Sequence, residues 1–442
     1  MIQQVINTSL NLRKIPLIQS DDKVIIYYNG SEKKGNKKKI ESILQLKNSL
    51  LELNNIKIIA LPEFDLKKNG WRKLKHFIQL SAEQGYVFIP AYFDAKAKKK
   101  SNEMIRFGRI LRFSDLELFE GFSKKYRYIR ARLFALGTSL DVDTYFTETK
   151  ASPIVKAKST SAIEKEIVAL RSSNKYLEQS GYELFITKAK KSPNIVHEIG
   201  RCREIVFRAV GEGTLNEIDL DDFDLHYLHL FLWDKINKQV AGAYRLGDGK
   251  YIMEHFGPKG FYIRSLFQIK KEMFPMLSHC LELGRSFVSA EYQQKRLPLF
   301  LLWKGIHQFV KNNKHMEYII GPVSISNRYS KVSQSVIVKF VKKFHYDKKL
   351  AALVSPKNAF KPDFKKLDTE VLFKAQDGSA MKLDFLLEDV DLHRLKMPVL
   401  YKKYFQQNAK IIGFNRDPLF NDALDGFMVV KADELLLNQS DD

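Results

Sequence analysis

The segment at residues 281–288, Leu-Glu-Leu-Gly-Arg-Ser-Phe-Val, constrains the fold of this chain more than any other stretch. Apolar residues alternate with Glu282 and then Gly284, which is the period-two pattern of a strand with one buried face. Strict alternation places Glu282 and Arg285 on opposite faces, so a shared face requires a kink or bulge, which we expect at Gly284. Buried charges are costly unless they are paired or bind a ligand. The two residues are therefore either part of a binding site or a structural ion pair, and the segment alone leaves both interpretations open.

Length and composition predict a folded protein of two or three domains. The chain has 442 residues, of which 45% are hydrophobic and 12% aromatic, and domains usually run about 100–200 residues. The formal net charge is +22. A field of this sign attracts acidic partners, namely nucleic acid, an anionic membrane or an acidic carrier protein.

Several classes of site and location are disfavoured by what the sequence lacks. The two cysteines, Cys202 and Cys280, form no CxxC pair, and no HExxH motif is present, so we expect no metal site. The first residues have no long apolar run behind a basic start, which argues against a secretory signal. No stretch of about 18 uncharged apolar residues predicts a membrane-spanning helix. We therefore expect a cytoplasmic protein, peripheral to the inner face of the membrane.

The periodicity predicts an α/β domain at residues 1–140, a linker at 141–162 and a second domain at 163–442. In the first domain we expect strands at 24–28, 56–61 and 86–93, helices at 39–53 and 71–82, and basic loop clusters at 33–39 and 96–100. The linker is rich in Thr, Ser, Lys and Asp and has weak periodicity.

The second domain has the pattern of an α/β fold with a mixed sheet flanked by helices. A helix at 193–210 carries Arg203 and Phe207 on one face, four residues apart. An acidic loop with Asp222 and Asp224 follows it, and a hairpin that ends near Arg245 comes next. Further expected elements are strands at 229–233, 240–246 and 318–326, helices at 297–311 and 333–344, and a closing strand at 409–414 or 426–430.

The acids and arginines of these elements fit the acylation of an amine. An α-amine needs a carboxylate that holds its ammonium group and a base that takes its proton, and its carboxyl group needs a guanidinium. A thioester needs donors for the developing oxyanion, which backbone N–H groups at a splayed strand edge supply. His226 and His229 lie beside a strand, and we interpret them as surface or satisfied histidines rather than metal ligands.

A series of segments resembles the ornithine-lipid type N-acyltransferases. These are GNAT-superfamily enzymes, often labelled hemolysin-like and related to the acyl-homoserine-lactone synthases. The resemblance covers about residues 165–436 and rests on segments in the same order: CREIVF, DDFDLHYLHLFLWD, VAGAYRL, GFYIRSLF, LELGRSFVSAEYQ, LLWKGI and YIIGPVSIS.

The resemblance implies an N-acyltransferase that takes a fatty acyl chain from acyl carrier protein and makes a lyso-aminolipid from a small amino acid. No cofactor is bound, and the carrier thioester, or acyl-CoA, is a co-substrate. By matching motif positions, Glu282, Arg285 and Asp224 are the expected catalytic residues, with Glu282 as the base or amine-orienting carboxylate. The expected substrate-binding residues are Arg203, Phe207, Asp222 and Arg245.

The segment after the Glu282 strand bears on the acyl donor. In the superfamily this loop usually holds glycines whose N–H groups cradle a pyrophosphate. Here it reads Tyr-Gln-Gln-Lys-Arg-Leu-Pro, without glycine, which favours a carrier-tethered donor. We expect Lys295 and Arg296 to contact the single phosphodiester of the carrier phosphopantetheine.

The first domain weakly resembles the later half of a glycerolipid-type acyltransferase domain, through KIPLIQ, IIALPEF and the run from FIQLSAEQ to IPAYFDAK. The HxxxxD motif of that family should lie upstream of KIPLIQ, and His76 has no Asp at the required offset. We therefore expect a truncated or degenerate relative without O-acyl chemistry; a chance α/β resemblance is the alternative.

Two other functions stay open. One is a non-catalytic membrane- or nucleic-acid-binding protein on an inactive acyltransferase scaffold, although nucleic acid is not the partner we expect. The other is an acyl-lactone signal synthase, whose nucleoside-linked acceptor needs a larger pocket than any sequence feature demands. The partners that we expect are acyl carrier protein, a small amino acid and an anionic membrane surface.

Overall fold

A computed structural model describes residues 23–29, 56–61, 68–93, 105–138, 151–365, 367–391 and 393–437. The chain divides into two compact units. The first comprises Met1–Thr144, Tyr329–Phe340 and Pro362–Met397, and the second comprises Tyr145–Arg328, Val341–Lys361 and Pro398–Asp442. The domain boundaries inferred from the sequence stay predictions. The compact units differ from these boundaries because Tyr329–Phe340 and Pro362–Met397 belong to the first unit.

The first unit contains a four-stranded sheet in the order β2-β1-β3-β4. Its strands are β1 (Val24–Asn29), β2 (Ile56–Leu61), β3 (Val87–Phe93) and β4 (Ile105–Phe107). β1 pairs in parallel with β2 and β3, and β4 is antiparallel to β3. The three predicted strands are confirmed. The helix expected at 39–53 and the basic clusters at 33–39 and 96–100 lie outside the described residues.

Helices accompany this sheet within the first unit: α1 (Lys68–Gln84), α2 (Phe113–Glu117), α3 (Gly121–Thr138), α12 (Thr369–Lys374) and α13 (Ala380–Val390). A buried ion pair connects two of them. Arg132 Nη2 on α3 lies 2.5 Å from Asp389 Oδ2 on α13, and the Arg106 guanidinium donates to the Leu136 and Asp391 carbonyl oxygens. These long-range contacts explain why Pro362–Met397 packs with a unit that is distant in sequence.

The second unit contains an eight-stranded sheet in the order β13-β14-β11-β10-β8-β7-β6-β5. Its strands are β5 (Lys175–Gln179), β6 (Tyr182–Lys188), β7 (Leu228–Asp234), β8 (Gln239–Asp248), β10 (Cys280–Val288), β11 (Tyr318–Ile325), β13 (Lys410–Asp417) and β14 (Ala423–Lys431). β9 (Phe267–Ile269) and β12 (Val354–Pro356) form a separate antiparallel pair. The mixed α/β fold is as expected, and both candidates for the closing strand are strands.

The remaining helices are α4 (Thr160–Arg171), α5 (Pro193–Ala209), α6 (Gly249–Phe256), α7 (Ile263–Leu266), α8 (Phe274–Ser278), α9 (Arg296–Asn312), α10 (Lys331–Phe344), α11 (Lys348–Ala351), α14 (Val399–Gln406) and α15 (Ala432–Leu437). Short 3-10 turns lie at Asp222–Leu225, Gly257–Gly260, Lys271–Met273, Ala290–Tyr292 and Pro418–Phe420. The stretch between β8 and β10 consists mostly of short helices.

The sheet diverges at its centre, beside the Glu282 segment. Among the described strands of this sheet, β10 and β11 are the one parallel pair, and their paired residues end at Glu282 and Ile320. The next residue of β11 is Gly321, at φ +156°, where a Cβ would lie 2.0 Å from the Leu283 carbonyl oxygen. A side chain cannot fit there, so glycine is required where the two strands separate.

Strand register determines which polar side chains share a face of this sheet. Residues directly opposite each other lie on the same face. Glu282 is opposite Gly247, Arg245 is opposite both Gly284 and His229, and Asp425 is opposite Ser324 and Asn415. The pairing of Ile320 with both Glu282 and Val429 continues this face across the centre of the sheet. Two buried apolar clusters, one centred on Ile195, Phe231 and Trp233 and one on Tyr227, Tyr262 and Phe427, cover it.

Candidate active site

A β-bulge brings Glu282 and Arg285 to a common neighbour. The pairing of β10 with β8 shifts register between Gly284 and Phe287, which confirms the predicted irregularity. The left-handed residue is Arg285 itself, at φ +50°, a conformation that costs about 1–3 kcal/mol for a residue other than glycine. As a result both side chains reach Tyr262: its backbone N–H donates to Glu282, and its hydroxyl accepts from Arg285.

Glu282 is 1% exposed and accepts hydrogen bonds at both carboxyl oxygens. The Ile263 N–H donates to Oε1 at 2.7 Å, the Tyr262 N–H donates to Oε2 at 3.2 Å, and the Tyr227 hydroxyl also donates to Oε2. Burial raises the pKa of Glu282 to about 7, although the hydrogen bonds from Tyr227 and Ile263 favour the ionised form. A carboxyl with this pKa is suited to accept a proton near neutral pH.

Arg203 and Arg245 are held by the acidic loop that precedes β7. Arg203 Nη1 lies 2.7 Å from Asp224 Oδ1, and Arg245 Nη1 lies 2.5 Å from Asp221 Oδ1 and 3.2 Å from Asp224 Oδ2. Burial alone would raise the pKa of Asp224, but the two guanidinium groups outweigh it and hold that pKa well below its usual range. Arg245 also lies among the Phe223, Tyr227 and Tyr262 rings.

Arg285 extends this network. Its Nε lies 3.1 Å from Asp219 Oδ2, its Nη2 lies 3.5 Å from Asp221 Oδ2, and its Nη1 donates to the Tyr262 hydroxyl at 3.2 Å. Three arginines therefore face three aspartates, so the charges of this group balance. We call these six residues the paired network: Arg203, Arg245, Arg285, Asp219, Asp221 and Asp224.

A second group of buried carboxyls lies beside Arg285 and is not balanced. Asp425 on β14 is opposite Ser324 and Asn415, and Ser324 Oγ donates to Glu212 Oε2 at 2.9 Å. The Tyr262 hydroxyl donates to Asp417 Oδ2 at 3.2 Å. Burial raises the pKa of Glu212 to about 7, and burial together with Asp417 and Glu212 raises the pKa of Asp425 well above its usual range. We call Glu212, Asp417 and Asp425 the unpaired carboxyls.

The other predicted site residues lie outside the paired network. Phe207 is buried and packs edge-on against Phe420, with ring centroids 5.1 Å apart. Asp222 is exposed, and Asp221, its neighbour, contacts Arg245 instead. Lys295 and Arg296 are exposed where α9 begins, and the Lys295 ammonium lies 4.9 Å from the centre of the Tyr292 ring.

The histidines beside β7 are satisfied, as the sequence indicated. His229 Nε2 is 3.1 Å from the Asp224 carbonyl oxygen, and His226 Nε2 is 3.0 Å from the Gly260 carbonyl oxygen. Burial and the nearby Arg203 lower the pKa of His229 to about 4, so it is neutral at neutral pH. Across the described ranges no group of three His, Cys, Asp or Glu side chains is arranged to hold a metal ion.

Sequence reasoning missed the tyrosines and the unpaired carboxyls. Tyr227 and Tyr262 precede or lie within segments without clear periodicity, so nothing in the pattern singled them out. Asp425 did leave a signal: in Ala423, Asp425, Phe427 and Val429 an acid stands among apolar residues of one strand face. Like Glu282, Asp425 is thus recognisable from the alternation of its strand as a buried charge.

Comparison with known proteins identifies the family. Residues 202–303 match the family described as "Acetyltransferase (GNAT) domain", a range that includes the paired network and Glu282. A glycine N(alpha)-acyltransferase of Phocaeicola vulgatus is 31% identical over 241 residues, which cover 47% of this chain and 74% of that protein. The protein of the same name in Bacteroides thetaiotaomicron is 30% identical over 253 residues, which cover 49% of this chain and 72% of that protein.

The chain belongs to this family of GNAT-type acyltransferases. It is thus an acyltransferase, and the expected enzyme class is confirmed. Among solved structures, the acyl-homoserine-lactone synthase LasI aligns over 33% of this chain and 74% of its own, with a TM-score of 0.24 and 14% identity. In the described part of the chain, no helix is both long and apolar enough to cross a membrane.

Proposed function

We propose that this acyltransferase moves a fatty acyl chain from an acyl carrier protein thioester to the α-amine of glycine or a similarly small amino acid. The product is an N-acyl amino acid, a lyso-aminolipid. The observation that carries the proposal is Glu282: a carboxyl buried on a bulged central strand, with a pKa near 7, in a chain about 30% identical to glycine N(alpha)-acyltransferases.

The reaction needs one base and one oxyanion site. The neutral amine attacks the thioester carbonyl carbon, a C–N bond forms, the C–S bond breaks, and the carrier thiol leaves with a proton. We assign Glu282 as the base, which takes the ammonium proton through a bridging water. Beyond Glu282 the described residues of β11 no longer pair with β10, and we assign the N–H groups of this part of β10 to stabilising the oxyanion.

The paired network has a supporting role in this proposal. Its guanidinium groups already contact carboxylates, so they are less available for an acceptor carboxyl group than the sequence suggested. Arg245 has the most unused donors: its buried Nε and Nη2 both have no hydrogen-bond partner among the described residues, whereas in Arg203 only the Nε has none. We therefore assign the acceptor carboxyl group to Arg245, and assign Arg285 to positioning Tyr262.

The proposed donor is a carrier protein rather than free coenzyme A. The loop between β10 and α9 offers no glycine for a pyrophosphate, whereas Lys295 and Arg296 are exposed at the start of the 17-residue helix α9. A single phosphodiester can be held by such a helix start and its lysine. The formal charge of +22 suits an acidic carrier protein and an anionic membrane surface.

The test is expression in a host that lacks aminolipids, followed by mass spectrometry of its lipids. We expect a new N-acyl glycine or a related N-acyl amino acid with the wild-type enzyme. The species should be absent with Glu282→Gln and present with Glu291→Gln, a control at an exposed position just after the same strand. The proposal is wrong if the host that expresses the wild-type enzyme gains no N-acyl amino acid, or if the host that expresses Glu282→Gln makes as much of it.

Kinetic assays with the purified protein identify the acyl donor. Acyl carrier protein and coenzyme A thioesters of the same chain length are compared with glycine as the acceptor. We expect a kcat/KM at least about tenfold higher for the carrier thioester. Equal values, or a preference for the coenzyme A thioester, would overturn the donor assignment and leave the acceptor assignment intact.

A further inference from the structure

Asp425 is a buried carboxyl without a partner. The residue is 4% exposed, and its carboxyl group makes no hydrogen bond or ion pair with any described residue. Most buried carboxylates are hydrogen-bonded or paired, since leaving one unmatched costs several kcal/mol. In the same unit, Asp224 shows what a matched carboxylate looks like, with two guanidinium groups within 3.2 Å.

The surroundings of Asp425 contain more carboxyl groups than cations. Ser324, its opposite residue on β11, is hydrogen-bonded to Glu212, and Asp417 lies two residues beyond its opposite residue on β13. Arg285 is the guanidinium group that acts electrostatically on Asp425, and it is already shared by Asp219 and Asp221. Three carboxyls thus have less than one cation between them.

The position of these carboxyls relates them to the proposed base. The Tyr262 hydroxyl donates to Asp417, and the Tyr262 backbone N–H donates to Glu282. One residue therefore contacts both groups, and the register places Asp425 and Glu282 on the same face of the sheet.

We propose that Asp425, supported by Asp417 and Glu212, binds the ammonium group of the amino acid acceptor. A primary ammonium supplies three donors and the positive charge that this group lacks: Asp425 makes no hydrogen bond with the described residues, and Asp417 accepts only from neutral donors among them, the Tyr262 hydroxyl and the Leu419 N–H. This inference rests on the proposed function, because it assumes an amine acceptor. The raised pKa values of Asp425 and Glu212 agree with carboxyls that await a cation.

The test compares Asp425→Asn with Asp433→Asn, an exposed control in the same unit. We expect Asp425→Asn to raise the KM for glycine about ten- to a hundredfold and to leave the KM for the acyl donor within about twofold. Ethylamine, which has an ammonium group and no carboxyl group, should inhibit the wild type competitively against glycine and should inhibit Asp425→Asn much less. The control should behave as wild type in both assays.

The outcomes separate this inference from the proposed function. If the wild type acylates an amino acid and Asp425→Asn keeps the wild-type KM and ethylamine inhibition, the ammonium site is wrong and the function stands. If the wild type acylates none of the twenty amino acids with either donor, both are wrong. Should Asp425→Asn fail to fold, Asp417→Asn and Glu212→Gln are measured in the same way, and an unchanged glycine KM in both overturns the site.

Discussion

Two groups of carboxyls meet at Arg285 and differ in the cations that compensate their charge. In the paired network, Asp219, Asp221 and Asp224 face three arginines, and the pKa of Asp224 is held well below its usual range. The unpaired carboxyls share part of one arginine, and the pKa values of Glu212 and Asp425 are raised. Asp219 lies at the junction: burial raises its pKa even though Arg285 is adjacent.

Whether a carboxyl has a cationic partner within the protein indicates whether its role is to stabilise the fold or to bind a ligand. A carboxylate that is matched within the protein stabilises the loop and strands that hold it, and its removal leaves buried cations without partners. A carboxyl left unmatched destabilises the folded protein until a ligand supplies the missing charge, which is expected of a binding site. Glu282 belongs with the second kind, because its three hydrogen bonds come from neutral donors.

The largest expected effect is on Glu282. Replacement by Gln removes the base but keeps the size of the side chain, so kcat should fall by about 10²–10⁴. The melting temperature should stay at the wild-type value or rise, since no cation loses its partner. Steady-state assays with acyl carrier protein thioester and glycine measure this effect. If Glu282→Gln keeps more than a tenth of the wild-type kcat, Glu282 is not the catalytic base.

The second effect is the pH dependence of the reaction. Glu282 acts as a base only when ionised, and its pKa is about 7, so kcat/KM should rise about tenfold per pH unit below 7 and level off above it. Glu212 has a similar pKa and so needs a control. Glu212→Gln should lower kcat/KM at every pH through a higher KM for glycine, because Glu212 lies at the proposed ammonium site, but should keep the position of the ascending limb. A profile that is flat between pH 5.5 and 7.5 in the wild type would exclude Glu282 as the titrating base.

A smaller effect is expected from Tyr227→Phe. The hydroxyl of Tyr227 donates to Glu282 and so favours its ionised form. Its removal should raise the pKa of Glu282 and move the ascending limb to higher pH, with kcat nearly recovered on the alkaline side. A purely structural role of the hydroxyl would instead lower kcat at every pH without a shift.

The smallest expected effect is at the exposed start of α9. Lys295→Ala combined with Arg296→Ala should raise the KM for the carrier thioester by a few fold, because exposed charge contacts contribute only about 0.2–1 kcal/mol each. The salt dependence of that KM should weaken as well. Lys304→Ala, further along the same helix, is the matched control. An unchanged KM and salt dependence would show that this end of α9 does not contact the donor.

Local features of the sequence predicted much of this arrangement. Apolar periodicity identified β7, β8, β10 and α5, and the spacing around Gly284 predicted the bulge that brings Arg285 toward Tyr262. The partners of these residues were not predictable in the same way. The choice between Asp221 and Asp222 depends on a 3-10 turn, and Tyr262 lies among short helices with no repeating pattern.

The other features that the sequence did not predict depend on contacts between strands and helices that are distant along the chain. Asp417 and Asp425 reach the site because β14 lies between β11 and β13, and no local pattern specifies that order. Likewise, the stretch Pro362–Met397 joins the first unit through buried contacts such as Arg132 with Asp389, whose partners lie more than 250 residues apart in the chain.

The most direct test of the difference between the two groups is the free energy of unfolding of Asp224→Asn and Asp425→Asn, measured in urea at pH 7.5. Asp224→Asn leaves Arg203 buried without its carboxylate and Arg245 with Asp221 alone, and should lose about 3–5 kcal/mol. Asp425 has a folded pKa above that of the unfolded chain, so its ionisation destabilises the fold as pH rises, and Asp425→Asn should be as stable as the wild type or more so. Equal losses in the two variants would contradict the account, because Asp425 would then be a matched structural carboxylate like Asp224.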